Sequence, residues 1–219
     1  MNLYVVILSA FLGITATAGT QITCHEPLNL PPGARRVFLD RFNEIRSQVA
    51  QGLFVTNSNV YARRASKMIR LSYSCAAEGT ASTAVVSWCQ NAGSSTPGIG
   101  EIKYQYRGAT GRPRVIANAV VNAWLNEGKS GRLPPPSPAP QNIYTSNLGI
   151  PNFSKIVWDT HTSVGCSWNR CPATNTLNVV CHFTPGGGAH GTQMYKVGPP
   201  CNRCANVGLP TCSAGLCSA

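Results

Sequence analysis

Leu177-Asn178-Val179-Val180-Cys181-His182-Phe183 is the stretch whose reading decides the fold. Leu177, Val179, Cys181 and Phe183 alternate with Asn178, Val180 and His182, the period of two that sends successive side chains to opposite faces of a strand. Just before it, Ser163 to Trp168 and Phe153 to Trp158 read as two further short strands. Nearer the N-terminus the period is helical. Phe38, Phe42, Ile45 and Val49 recur at helical spacing between Pro31-Pro32-Gly33 and Gly52, with Asp40, Glu44 and Arg46 elsewhere on the wheel. A short second helix is predicted over Tyr61 to Leu71, with Arg63, Lys67 and Arg70 as a basic stripe opposite Ala65, Met68 and Ile69. A third runs from Cys75 to Cys89, its Ala77, Ala81 and Ala84 suited to close packing. The fourth begins at Pro113, a residue favoured in a first helical turn, and carries Ile116, Val120, Ala123 and Trp124 on one face, which Glu127 extends. Helices followed by strands predict an α+β layer fold.

The connections are equally legible. Ser94-Ser95-Thr96-Pro97-Gly98 is a loop leading into Ile99 to Tyr104, and Leu133 to Gln141 holds five prolines, which excludes a helix interior or a central strand. No internal repeat is present. Residues 198–219 are cysteine-rich without periodic apolar residues and read as a separately stapled tail, so the expected organisation is a leader over 1–18, a main domain over 19–197 and that tail.

The leader reading rests on Met1 to Ala18, which carries no charge, runs apolar from Leu3 to Leu8 and ends Ala16-Thr17-Ala18, the small-x-small pattern of secretory cleavage. It is too short and too polar for a spanning helix. The chain has 219 residues and 10 cysteines, with 18 Lys+Arg against 7 Asp+Glu. An even cysteine count in a secreted chain points to disulfides, although counting alone leaves about 945 pairings open. Cys201-x-x-Cys204 lacks a second pair at zinc spacing. The basic excess favours anionic extracellular partners such as glycans, lipid head groups or host proteins, and a secreted chain has little occasion to meet nucleic acid.

Asn152-Phe153-Ser154-Lys155-Ile156-Val157-Trp158, followed by Val164-Gly165-Cys166, resembles the GHxTQxVW…xGC signature of the CAP superfamily, the cysteine-rich secretory, antigen 5 and pathogenesis-related class 1 proteins. Val179 to Gly187 is similar to its second signature, and Phe42-Asn43-Glu44-Ile45-Arg46 stands where HNxxR is usual. Gly198-Pro199-Pro200-Cys201 and the end Leu216-Cys217-Ser218-Ala219 look most like the nematode activation-associated secreted or venom-allergen-like branch. The resemblance implies a three-layer α-β-α sandwich. It also implies the pairs Cys24–Cys75, Cys89–Cys171 and Cys166–Cys181, with Cys201–Cys212 and Cys204–Cys217 in the tail.

Many members of that family have a cleft of two His and two Glu able to hold a divalent metal. The matching positions here are Gly93, Glu101, Glu127 and Asn152, so both glutamates are retained and both histidines are lost. Without imidazole ligands, neither a zinc site nor any cofactor is expected, and no near-neutral general base remains. Of the four histidines, His25, His161, His182 and His190, only His182 merits a distance to Glu101. No G-x-S-x-G elbow accompanies Gly186-Gly187-Gly188, and no Gly-Lys-Ser/Thr follows it, which excludes a nucleophile elbow and a P-loop. The alternative enzyme reading is a metal-dependent or two-carboxylate hydrolase using Glu101 and Glu127.

Asn152-Phe153-Ser154 is the chain's only N-x-S/T sequon. Unmodified, Asn152 is expected to be buried at the start of a strand. The resemblance further implies lipid binding. Leu133 to Ile150, with Tyr144, corresponds to the sterol-binding loop, and Phe38, Phe42, Val120 and Trp124 are candidates to line a fatty-acid channel between the first and fourth helices or to be ordinary core. The expectation is therefore a secreted, non-catalytic protein that binds a sterol, a fatty acid or a host protein and modulates host immunity, and that does not integrate into a membrane.

Overall fold

A computed structural model describes residues 21–25, 28, 30–90, 98–134 and 142–219; the leader, Gly93 and most of the proline-rich loop lie outside the described residues. Helix α1 (Pro32–Ala50) enters on Pro31-Pro32 and ends before Gly52, whose φ of 71° is the left-handed conformation that glycine tolerates. Helix α2 (Cys75–Cys89) is capped by the Ser74 side chain, which accepts the Ala77 N–H. Helix α3 (Pro113–Ser130) again opens on proline. It lies alongside α1 in the same direction, with Gly33 next to Arg114 and Arg41 Nη2 donating to Asn122 Oδ1 at 3.1 Å.

Strands β1 (Ser72–Tyr73), β2 (Gly100–Arg107), β3 (Ser163–Cys171) and β4 (Thr176–Thr184) form one sheet in the order β1-β3-β4-β2. β4 is antiparallel to both β2 and β3, and β1 is parallel to β3. The alternation in β4 assigns the two faces. Leu177, Val179, Cys181 and Phe183 join Ile102 and Val164 in the large core beneath α1 and α3, whereas Val180 packs with Ala81, Ala84 and Val85 of α2. The result is a three-layer sandwich. Its α2 side is held very close, since a Cβ on Gly165 of β3 would sit 2.1 Å from the Glu78 backbone nitrogen.

Five disulfides fasten these layers: Cys24–Cys75 and Cys89–Cys171 anchor the two ends of α2, and Cys166–Cys181 joins directly opposed residues of β3 and β4. The remaining two, Cys201–Cys212 and Cys204–Cys217, staple a C-terminal hairpin of β5 (Thr211–Ser213) and β6 (Leu216–Ser218).

Four sequence expectations are corrected. Residues 61–71 form no helix. Their backbone groups bond distant partners, including Ala62 N–H to Phe54 O and Arg70 N–H to Cys217 O, and Ala65 and Met68 are buried in an extended chain. Spacing at i, i+3 over so short a run does not separate the two conformations. The basic stripe disappears with the helix: Lys67 pairs with Asp159 at 3.8 Å and Arg70 reaches the Ser213 carbonyl at 3.4 Å. Phe153–Trp158 is not a strand. Pro151–Ile156 form a short helix, α4, and the missing strand is β2. Finally, the tail is stapled but not separate, because Leu216 is 1% exposed within the main core and Ser47 Oγ donates to Ala214 O.

Arg46 is the fourth correction. It is not on a solvent face but fully buried, and all five of its N–H groups are used: Nε and Nη2 donate to Ile69 O, Nη1 to Ile156 O and Trp158 O, and Nη2 also to His161 O. Burial lowers its pKa to about 9, partly offset by Asp159, so it remains a cation at neutral pH. This one side chain ties α1 to residue 69 and to the end of α4 and the residues that follow it, 156–161.

Candidate functional site

β2 is an edge strand, so the outward backbone groups of Lys103 need partners. They find them on the helices. Lys103 N–H donates to Asn152 Oδ1 at 3.1 Å, and Trp124 Nε1 donates to Lys103 O at 3.1 Å. Asn152 stands in the first turn of α4, whose free N–H groups attract a carboxylate. Glu127, projecting from the last turns of α3, supplies it: Oε1 accepts the N–H groups of Asn152 (2.7 Å) and Phe153 (2.8 Å), and Oε2 accepts Asn152 Nδ2 (2.8 Å). Close approach of the two helices is possible because residue 128 is glycine; a Cβ there would lie 2.3 Å from the Phe153 ring.

The second carboxylate is also engaged. Glu101 Oε1 meets Lys103 Nζ at 2.8 Å, and Oε2 accepts His182 Nε2 at 2.9 Å across the directly paired β2–β4 register. His182 is fully buried, with Nδ1 2.8 Å from the Thr80 hydroxyl of α2. Burial pushes the Glu101 carboxyl up, but the hydrogen bonds and charges of His182 and Lys103 outweigh it and hold the group below the usual carboxylate range. The half-buried Lys155 of α4 feels both Glu101 and Glu127; burial lowers its pKa against their pull. Thus the structure links Glu127, Asn152, Lys103, Glu101 and His182 in one chain of contacts. Gly93 lies outside the described residues.

Sequence reasoning singled out Glu101, Glu127, Asn152 and His182 but missed Lys103 and Lys155. Both are visible only as excess positive charge until the fold turns them toward the glutamates. Of the other histidines, His25 and His190 are exposed, whereas His161 is fully buried beside Gly100 and against Phe183, ring centroids 5.1 Å apart, its Nδ1 2.8 Å from Lys155 O.

A divalent metal at this cleft would have to compete for carboxylate oxygens that already bind protein donors. Two Glu 101 contacts are to cationic or cation-capable groups, and a third positive side chain, Lys155, lies within range of both glutamates. Imidazole nitrogens are the natural zinc ligands, and the one imidazole present directs Nε2 at Glu101. The donor set does not fit a metal ion.

The lipid candidates are placed as core. Phe38, Phe42, Val120 and Trp124 are at most 1% exposed, with ring centroids 6.0 Å apart for Phe38–Phe42 and 5.9 Å for Phe42–Trp124. A channel there would require these rings to separate. Tyr144 is likewise buried, edge-on to Trp158 at 6.5 Å. No helix among the described residues is long and apolar enough to cross a membrane.

Residues 39–183 match the family model "CAP: Cysteine-rich secretory protein family". The Ancylostoma secreted protein of Ancylostoma caninum is 28% identical over 208 residues, which cover 91% of this chain but only 47% of that protein. Hookworm platelet inhibitor 1, from the same species, is 24% identical, with 95% and 91% covered. Among solved structures, "Crystal structure of NaASP2 with Zn2+" superposes with a TM-score of 0.72 at 27% identity, over 88% of this chain and 99% of that one.

Proposed function

The chain belongs to the CAP family of cysteine-rich secretory proteins, and from that premise we propose that it is a secreted, non-catalytic member that acts by binding, with a host protein as its target and immune modulation as the consequence. One observation carries the reading: every carboxylate oxygen of Glu101 and Glu127 is occupied by a donor of the protein itself. A cleft arranged in this way positions β2, α3 and α4 and commits both glutamates to structural contacts. Five disulfides support the extracellular setting. The relation to a hookworm platelet inhibitor of nearly equal length supports a function exerted on a host. A fatty acid is the less favoured ligand, because the α1–α3 space that it would enter is filled by aromatic rings.

The alternative is a hydrolase built on Glu101 and Glu127, with or without a metal. Calorimetry with zinc separates the two. No binding is expected below millimolar zinc; stoichiometric binding that Glu101→Gln abolishes would overturn the proposal. Native mass spectrometry of the purified protein tests the ligand class: a co-purified sterol or fatty acid would move the reading from protein to lipid.

A further inference from the structure

Of the chain's 7 acidic residues, none falls between 102 and 126 and none after Asp159, so the cationic side chains of those two segments find no acidic residue within them. They meet at the far end of β2 from Glu101, six residues or about 20 Å along the strand. Arg107 ends β2, Arg112 and Arg114 flank the start of α3, and Arg170 near the end of β3 donates from Nη2 to Ala109 O at 2.7 Å, which places it against the 108–112 connection. All four arginines are exposed; Arg170 projects from the sheet face that α3 covers and Arg107 from the opposite face, at the same end of the sheet. The first turn of α3 carries no acidic residue, and neither does that of α1, whose Gly33 lies against Arg114, so two helix N-termini add their partial positive charge to the same edge.

Beside the arginines lies an open groove of about 320 Å³ lined by Ile116, Trp168, Asn169, Arg170 and Leu177. Its lining combines an indole and two aliphatic side chains with an amide and a guanidinium. We propose that this edge is a binding site for a linear sulfated polysaccharide, with sulfates paired to Arg107, Arg112, Arg114 and Arg170 and a sugar ring seated over the half-buried Trp168. Guanidinium binds sulfate oxygens through paired N–H donors, and an array of such groups along an edge matches a ligand with charge repeated along its length. A lipid surface fits less well, because Val115 is the one large apolar side chain exposed at this edge among the described residues. The site is remote from the cleft and does not depend on the binding function proposed for the whole protein.

The test uses the mature protein and heparin. Its NaCl elution from immobilised heparin should exceed that from a sulfopropyl exchanger of similar charge density. The triple variant Arg107→Ser/Arg112→Ser/Arg114→Ser should lose at least about tenfold in heparin affinity near physiological salt, with a shallower salt dependence. A charge-matched control, Arg64→Ser/Lys196→Ser/Arg203→Ser, should lose much less. Equal losses in the two triple variants, or equal elution from both resins, would reduce the interaction to net charge and overturn the proposal. Hydrogen exchange of the unmodified protein with a heparin dodecasaccharide gives a second reading that needs no variant: protection confined to residues 107–116 and 168–171 supports the site, and protection elsewhere, or protection by anionic vesicles alone, refutes it.

Discussion

Replacing Arg46 by Met tests the central claim about how the cleft is held. Arg46 is fully buried and donates five hydrogen bonds to four backbone carbonyls, those of Ile69, Ile156, Trp158 and His161. Trp158 O keeps a bond from His161 N–H in the variant, but the other three carbonyls lose their side-chain donor. A buried polar group left without a partner costs about 1–3 kcal/mol. Against this, the variant no longer has to bury a guanidinium, whose lowered pKa shows that the site taxes the cation. A net loss of about 4 kcal/mol is expected, in the range found for breaking buried charge networks. For a domain of this length that corresponds to a fall of about 8–16 °C in Tm, followed by circular dichroism with the disulfides intact. Arg46→Lys, which keeps a charge but only three donors, should fall between the two. If Arg46→Met melts within about 3 °C of the unmodified protein, the carbonyls are satisfied some other way and Arg46 is not the tie between α1 and the cleft.

Three further outcomes follow from particular contacts. Asn152 should remain unglycosylated when secreted from eukaryotic cells, because its Nδ2 already donates to Glu127; a mobility shift on treatment with an N-glycanase would contradict that placement. His161 is held neutral, with burial and the Arg46 charge lowering its pKa to about 3. In the unfolded chain it binds a proton near pH 6.5 and in the folded chain it does not, so its contribution is full above pH 6.5 and declines as pH falls from there toward 3. Denaturant unfolding at pH 7 and pH 5 should differ by up to about 2 kcal/mol, and His161→Asn should remove most of the difference. Gly165→Ala forces a Cβ against the backbone of α2, 2.1 Å from Glu78 N, where nothing flexible can yield; the variant should lose several kcal/mol or fail to accumulate, and a Tm unchanged within about 2 °C would refute the close approach.

Much of the architecture was legible locally. Proline at the first turns of α1 and α3, the apolar stripe of α1 and the alternation of β4 are chemical signals carried by neighbours in the chain, and each corresponds to the element that they specify. Where the reading failed, the deciding partners were remote. Residues 61–71 carry a helical pattern, yet their N–H groups bond to residues from 43 to 217, and α4 is helical with Glu127, 24 residues before it begins, capping its first turn. Arg46 reads as a surface residue because charge favours water, and only the convergence of four carbonyls makes its burial tolerable.

The cleft divides in the same way. The residues alone fix that Gly and Asn, neither with an imidazole, stand at positions 93 and 152, where the family resemblance implies two histidines. What became of the two glutamates was settled by the fold. Carboxylates are versatile, and their role depends on who reaches them first; here a strand pairing delivers His182 and Lys103 to Glu101, and a helix start delivers its N–H groups to Glu127. These partners come from up to 81 residues away, beyond any local pattern, because proximity in a sheet is set by register and not by distance along the chain.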